Sequence, residues 1–126
     1  MKKYSKQREL ILKSLQSRTD HPSAETLYVD LKKEMPEIGI ATVYRNLVTL
    51  YQDNEIVRIS GKDLERFDGN IKRHIHFICD KCKEIYDIFL PEEELECLEK
   101  IVKNVSSNPE NTWITISGVC KKCKEE

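Results

Sequence analysis

Apolar positions in the first half of the chain recur at helical spacing in three places. Leu10, Ile11 and Leu15 mark a first helix that Ser5 can cap. Pro22-Ser23 opens a second, with Ser23 as cap and Leu27, Leu31 and Met35 at four-residue steps. Pro36 and Gly39 interrupt the pattern, and a third helix is expected over about 41–51, with Val43, Leu47 and Leu50 on one face. The period then changes. Ile56-Val57-Arg58-Ile59 and Leu64-Glu65-Arg66-Phe67 flank the turn-forming stretch Ser60-Gly61-Lys62-Asp63, which predicts a β-hairpin.

The second half reads differently. His76-Phe77-Ile78-Cys79 and Ile85-Tyr86-Asp87-Ile88-Phe89 are expected as strands around a Cys-x-x-Cys knuckle. Pro91 suits the first turn of a helix, and Glu92, Glu93 and Glu94 suit its positive end. Leu95, Leu98, Val102 and Val105 form its apolar face. After a turn cluster at 106–111, residues 113–119 predict a last strand, with Ile114 and Ile116 on one face and a second knuckle at its end. The fold class is therefore α+β. Three helices and a hairpin are the order of a winged helix-turn-helix domain, placed at 1–69, and a small α/β domain occupies 70–126.

Composition narrows the class. Of 126 residues, 39% are hydrophobic and 34% charged, so the core is thin and small subdomains need a metal or a partner. No apolar run approaches the roughly 18 residues of a membrane span. The start, Met1-Lys2-Lys3-Tyr4-Ser5, has no apolar export stretch, which points to the cytoplasm. In that setting five cysteines argue for metal or thiol chemistry over a disulfide framework. The net charge of −1 hides +2 in residues 1–60 and −3 in the rest. Lys2, Lys3, Lys6, Arg8, Lys13 and Arg18 face one acid, Glu9, which permits a nucleic-acid partner or simply a solvated helix face.

Cys79-x-x-Cys82 and Cys120-x-x-Cys123 supply four thiolates that can surround one structural Zn²⁺ as a tetrahedron. The 37 residues between the pairs exceed a compact zinc ribbon, so the metal would tie the first strand of the subdomain to its last. Cys97 has no partner in sequence and reads as a small packing residue. His74 and His76 lie at strand spacing and point to one side, as incidental neighbours or as ligands. His21 precedes the second helix, Asp68 ends the hairpin, and Asp87 sits mid-strand where an acid needs a partner or solvent. Three imidazoles and two carboxylates suit Fe²⁺, Mn²⁺ or Zn²⁺ better than Mg²⁺ or Ca²⁺.

On the third helix, Arg45 lies almost opposite the Val43, Leu47 and Leu50 stripe, with Thr49 beside it. It is an exposed arginine on an ordinary helix, or a reader of paired guanine acceptors with Tyr44 contacting ring or phosphate.

Several motifs together are similar to the ferric uptake regulator (Fur) family. They are Ala41-Thr42-Val43-Tyr44-Arg45-Asn46-Leu47, Arg66-Phe67-Asp68, His74-x-His76-x-x-Cys79-x-x-Cys82 and Gly118-Val119-Cys120-x-x-Cys123. The resemblance implies a homodimeric, metal-dependent repressor binding double-stranded operator DNA through Thr42, Tyr44, Arg45 and Thr49. It implies a zinc-stapled dimerisation domain and a regulatory Fe²⁺ or Mn²⁺ on His21, Asp68, His74, His76 and Asp87. Iron-sensing members carry Glu at the two acid positions; Asp68 and Asp87 resemble the peroxide-sensing, PerR-like branch. There, iron-catalysed oxidation would fall on His21 or His74. Lys83 stands where Gly is common, and Thr112 where many members have a His of an accessory site. The resemblance implies no enzyme activity, no membrane partner, and no small ligand beyond metal and peroxide. The alternative within the family is an iron-, zinc- or manganese-responsive uptake regulator. Outside it stand a non-haem iron enzyme and a zinc-stapled protein-interaction module.

Overall fold

The computed structural model describes residues 3–61 and 64–124 of the chain. They form two compact units, Met1–Ile71 and Lys72–Glu126. Among the described residues no helix is long and apolar enough to cross a membrane.

In the first unit, α1 (Lys3–Gln16), α2 (Ala24–Leu31) and α3 (Ile40–Gln52) precede an antiparallel hairpin of β1 (Val57–Gly61) and β2 (Leu64–Asp68). The expected Ser5 cap is not at a helix start, because α1 already includes Ser5. Ser23 caps α2 as expected, its hydroxyl accepting from the Thr26 N–H at 3.2 Å. α2 ends at Leu31, so Met35 lies in the following turn, where its N–H still reaches the Leu31 carbonyl at 2.9 Å. α3 starts at Ile40, and Gly39 before it is the N-cap residue, with no side chain to bond the helix end. The expected hairpin turn includes Lys62 and Asp63, which lie outside the described residues.

Ile11, Leu15, Leu27, Leu31, Val43, Leu47 and Leu50 meet in one core, closed from below by Ile38, Ile56 and Phe67. Burying Phe67 fully, on the hairpin, contributes about 1.5–3 kcal/mol and fixes the wing to the helices. Gly69 permits a close approach just after β2: a Cβ there would come within 2.6 Å of the Leu15 carbonyl carbon and 2.7 Å of the Gln16 nitrogen. No residue larger than glycine fits this contact with the end of α1 without moving backbone.

In the second unit, β3 (Ile75–Cys79) is the centre of a three-stranded sheet of order β4-β3-β5. β4 (Ile85–Ile88) pairs with it antiparallel and β5 (Thr115–Gly118) parallel. α4 (Glu92–Val102) lies between β4 and β5 in sequence, with Pro91 as its N-cap residue and the three glutamates in its first turn. Its apolar face does not form a core. α4 fully buries no residue: Leu95, Leu98 and Val102 are half-buried, and Val105, expected on the same face, lies beyond the helix end and is 89% exposed. Cys97 is exposed on the same helix, so it is not the packing residue that its sequence context suggested. The buried apolar set of this unit is confined to Ile75, Ile78, Cys79, Ile85 and Cys120 among the described residues.

Candidate functional site

The two knuckles follow the adjacent parallel strands β3 and β5, paired Cys79 to Gly118, and this brings all four cysteines together. Their ligand atoms lie within 4.8 Å of one another, and Cys82 Sγ stands 3.8 Å from Cys120 Sγ. A tetrahedron with Zn–S bonds of about 2.3 Å has an edge of about 3.8 Å. Main-chain N–H groups of Lys81, Cys82 and Cys120 converge on Cys79 Sγ at 3.3, 3.4 and 3.4 Å. The Cys120 N–H leads in lowering the Cys79 thiol, to about 6. The Tyr86 hydroxyl beside Cys120 lowers that thiol too, whereas hydrogen bonding to Cys120 pushes Cys123 up to about 12. Four sulfurs this close do not ionise together on their own; a dication at their centre favours all four thiolates. The donor set and spacing fit a structural zinc.

A second cluster stands on the same sheet. His76 and Asp87 are cross-strand partners in the β3–β4 register, and His74 lies two residues ahead of His76. His74 Nε2 is 3.0 Å from His76 Nε2. Asp87 Oδ1 is 3.2 Å from His74 Nε2 and 3.5 Å from His76 Nε2. Ligands at about 2.1 Å from a metal are about 3.0 Å apart at right angles and about 3.4 Å apart in a tetrahedron. Both histidines are buried, at 1% and 0% exposure, and so point inward as a pair. Aromatic rings line them. Trp113 stacks on His76 at 5.7 Å between centroids and 23° between planes, and meets His74 edge-on at 5.0 Å. Phe89 lies 5.0 Å from His74.

The first unit carries its own pair. His21 Nε2 is 3.6 Å from Asp68 Oδ2, and both side chains are buried. The Asn70 N–H donates to Asp68 Oδ1 at 2.9 Å and fixes the carboxylate. His21 has φ of 50°, a left-handed conformation unusual for a side chain of this size. Three bonds hold it. Arg66 Nε donates to the His21 carbonyl, Arg66 Nη2 to the Asp20 carbonyl at 3.3 Å, and the Phe67 N–H to the Pro22 carbonyl at 2.9 Å. Arg18 braces the same loop through Asp20 and Asp30, and its guanidinium holds the Asp20 carboxyl below the usual carboxylate range.

On α3, Arg45 and Tyr44 are exposed, as the helical projection requires, while Thr42 and Thr49 are half-buried. The Thr49 hydroxyl donates back to the Arg45 carbonyl at 3.2 Å. The side chains of Gln7, Arg8, Thr42, Arg45, Asn46 and Thr49 line a polar cleft of about 350 Å³. Asn46 is buried there, accepting from Arg8 Nε at 3.2 Å and donating to the Thr42 carbonyl at 2.9 Å. Glu65 on β2 accepts from the Tyr44 hydroxyl at 3.2 Å and from Arg58 Nε at 2.6 Å, joining wing to helix. Sequence reasoning did not single out Asn46, Glu65, Arg58, Arg66, Trp113 or Phe89 as site residues. Arg66 and Asn46 lay within quoted motifs; the others had no spacing signal.

The sequence model of the ferric uptake regulator family matches residues 2–116. The chain belongs to the ferric uptake regulator family. It is 37% identical over 123 residues to the peroxide-responsive repressor PerR of Staphylococcus epidermidis, covering 95% of this chain and 80% of that one. Among solved structures, the Campylobacter jejuni peroxide stress regulator superposes with a TM-score of 0.77 at 35% identity, covering 96% of this chain and 91% of that one. The Helicobacter pylori ferric uptake regulator Fur, described with three functional metal-binding sites, gives 0.75 at 28% identity, covering 96% and 81%. These neighbours carry the same winged-helix plus α/β architecture expected from the helix order and the knuckles.

Proposed function

We propose that this member of the ferric uptake regulator family is a metal-dependent transcriptional repressor that senses peroxide. The observation that supports it most directly is the convergence of His74, His76 and Asp87, with aspartate in place of a longer acid. The repressors and regulators at 34–37% identity whose names refer to peroxide favour the same reading. The regulatory ligands in this reading are His21, Asp68, His74, His76 and Asp87. Five nitrogen and oxygen donors suit Fe²⁺ or Mn²⁺. Binding the ion selects the conformer that fits DNA.

When bound, Fe²⁺ would supply the chemistry for reducing peroxide, with one oxygen entering an imidazole C–H bond of His21 or His74 and the other leaving as water. The protein's own groups prepare for this. Arg66 holds the His21 backbone, Asn70 orients Asp68, and the buried strand register aims His76 at Asp87. An oxidised imidazole is a poorer ligand, so the regulatory ion and operator binding would be lost together.

Arg45, Tyr44, Thr42 and Thr49 contact double-stranded operator DNA, Arg45 reading a base edge and the threonines steering the helix. The protein is a homodimer, for which the uncovered apolar residues Ile101, Val105 and Ile116 of the second unit provide the surface. It works in the cytoplasm and turns over no substrate of its own.

A random duplex library selected on the Mn²⁺-loaded protein provides the operator probe. Mn²⁺ and Fe²⁺ forms should retain the selected DNA, the zinc-only form should not, and a peroxide pulse should release the Fe²⁺ form alone. Release by metal removal with no effect of peroxide would make the protein a metal-occupancy regulator.

A further inference from the structure

Beside the His74–His76 pair, whose rings lie 4.6 Å apart, one further ring meets both histidines. Trp113, the single tryptophan of the sequence, lies just ahead of β5 and is half-buried. Its indole stacks on His76 at 5.7 Å and 23°, and meets His74 edge-on at 5.0 Å. Parallel pairing of β5 with β3 sets this contact: His76 is opposite Thr115, and the His76 N–H donates to the Ile114 carbonyl at 3.2 Å. The strand that carries the zinc knuckle therefore also delivers an indole to the imidazole pair.

Indole is the most electron-rich ring among the protein side chains and is oxidised more readily than imidazole. An oxidant generated beside His74 and His76 would find the Trp113 ring centred 5.0 and 5.7 Å from theirs. We propose that Trp113 is an oxidation site of this protein, competing with the histidines for the oxygen of peroxide. The step balances with peroxide as the only oxidant. The O–O bond of H₂O₂ breaks, and one oxygen enters an aryl C–H bond of the indole as a hydroxyl group. The other oxygen leaves as water. The indole gives up two electrons and peroxide takes two. The inference rests on the proposed iron and peroxide reading of the His74–His76–Asp87 cluster.

Hydroxylation at this position changes the cluster physically. A hydroxyl on a ring packed against two buried imidazoles has to be accommodated in a tight stack, and the polar group has to find a partner. Trp113 oxidation thus disturbs His74 and His76 without altering either ligand chemically. It also uses up oxidant that would otherwise mark a ligand.

The test uses the zinc-containing full chain, loaded anaerobically with Fe²⁺ or Mn²⁺ and given one equivalent of hydrogen peroxide. Trypsin releases residues 104–121, which hold Trp113, separately from residues 74–81 with both histidines and residues 19–32 with His21. The expected result is one added oxygen on the 104–121 peptide, located by fragmentation at Trp113, in the Fe²⁺ protein and not in the Mn²⁺ protein. In a Trp113→Phe variant that still binds Mn²⁺, the oxygen should move to the histidine peptides. Separately, Mn²⁺ titration of the unmodified protein should quench the lone tryptophan emission saturably, with the stoichiometry found by calorimetry. Oxygen on His21 or His74 with Trp113 untouched would overturn this inference and leave peroxide sensing intact. No added oxygen on any of the three peptides would overturn both. Calorimetric Mn²⁺ binding with unchanged emission would overturn the adjacency on which the inference depends.

Discussion

Arg66 on β2 donates to the main-chain carbonyl of His21, 45 residues earlier in the chain. His21 has φ of 50°, and a left-handed conformation in a residue with a Cβ costs about 1–2 kcal/mol. The guanidinium offsets that cost and holds the imidazole beside Asp68. Arg66→Ala should therefore weaken Mn²⁺ binding about tenfold, which corresponds to about 1.4 kcal/mol. Zinc content and helicity should stay unchanged. Calorimetric Mn²⁺ titration of the zinc-loaded variant reads this directly, and wild-type affinity would mean that the loop needs no clamp.

Zinc removal should act on one unit. The first unit has a continuous core from Ile11 to Phe67, whereas the second buries only five apolar or cysteine side chains among the described residues. The knuckles join β3 to β5 in place of a core, so chelation should unfold the second unit and spare the first. Hydrogen exchange should show lost protection at residues 75–79 and 115–118, with α1–α3 still protected. Uniform loss across both units would contradict this.

Lys83 closes the first knuckle at φ of 64°, its N–H donating to the Cys79 carbonyl at 2.9 Å. Glycine reaches this conformation without a Cβ clash. Relief of that strain outweighs the entropy that glycine loses on folding. Lys83→Gly should raise the stability of the zinc form by about 0.5–1 kcal/mol, seen as a higher midpoint of thermal unfolding. A lower midpoint would show that the lysine side chain contributes more than its backbone costs.

Arg45 projects from α3 away from the core stripe, beside the cleft lined by Arg8 and Asn46. A bidentate arginine–guanine contact is worth about 1–3 kcal/mol of discrimination. Arg45→Ala should reduce affinity for the selected operator tenfold or more and relax base preference at one position of each half-site. Mn²⁺ binding should be unaffected. An equal loss on operator and random DNA would make Arg45 a phosphate contact.

Much of this molecule is visible in its sequence, for reasons that differ by element. Leu27 and Leu31, or Val43, Leu47 and Leu50, repeat with the period of a helix that buries one face, and burial followed. The four cysteines were legible because metal geometry constrains spacing within each pair. α4 shows the limit of the same logic. Leu95, Leu98, Val102 and Val105 have helical spacing, yet periodicity says that a face is apolar and not what covers it; the chain itself leaves Val105 exposed. Arg66, Glu65 and Trp113 were illegible for another reason. Each acts across a long sequence separation on a carbonyl, a hydroxyl or a ring, and no local pattern marks such a partner. Met35 fell outside α2 because one further turn-like bond continues a helical spacing without continuing the helix.

The two cysteine pairs sit at the ends of neighbouring parallel strands, so neither pair can swing away while β3 and β5 remain hydrogen-bonded. Exchange of zinc then requires the strands to part, and its lifetime is the lifetime of that pairing. The side chains of His74, His76 and Asp87 stand just before β3, on β3 and on β4, with no pair of cysteines closing around them. We expect the cysteine site to hold its ion longer than the histidine cluster does, so that the scaffold outlasts each change of regulatory ion.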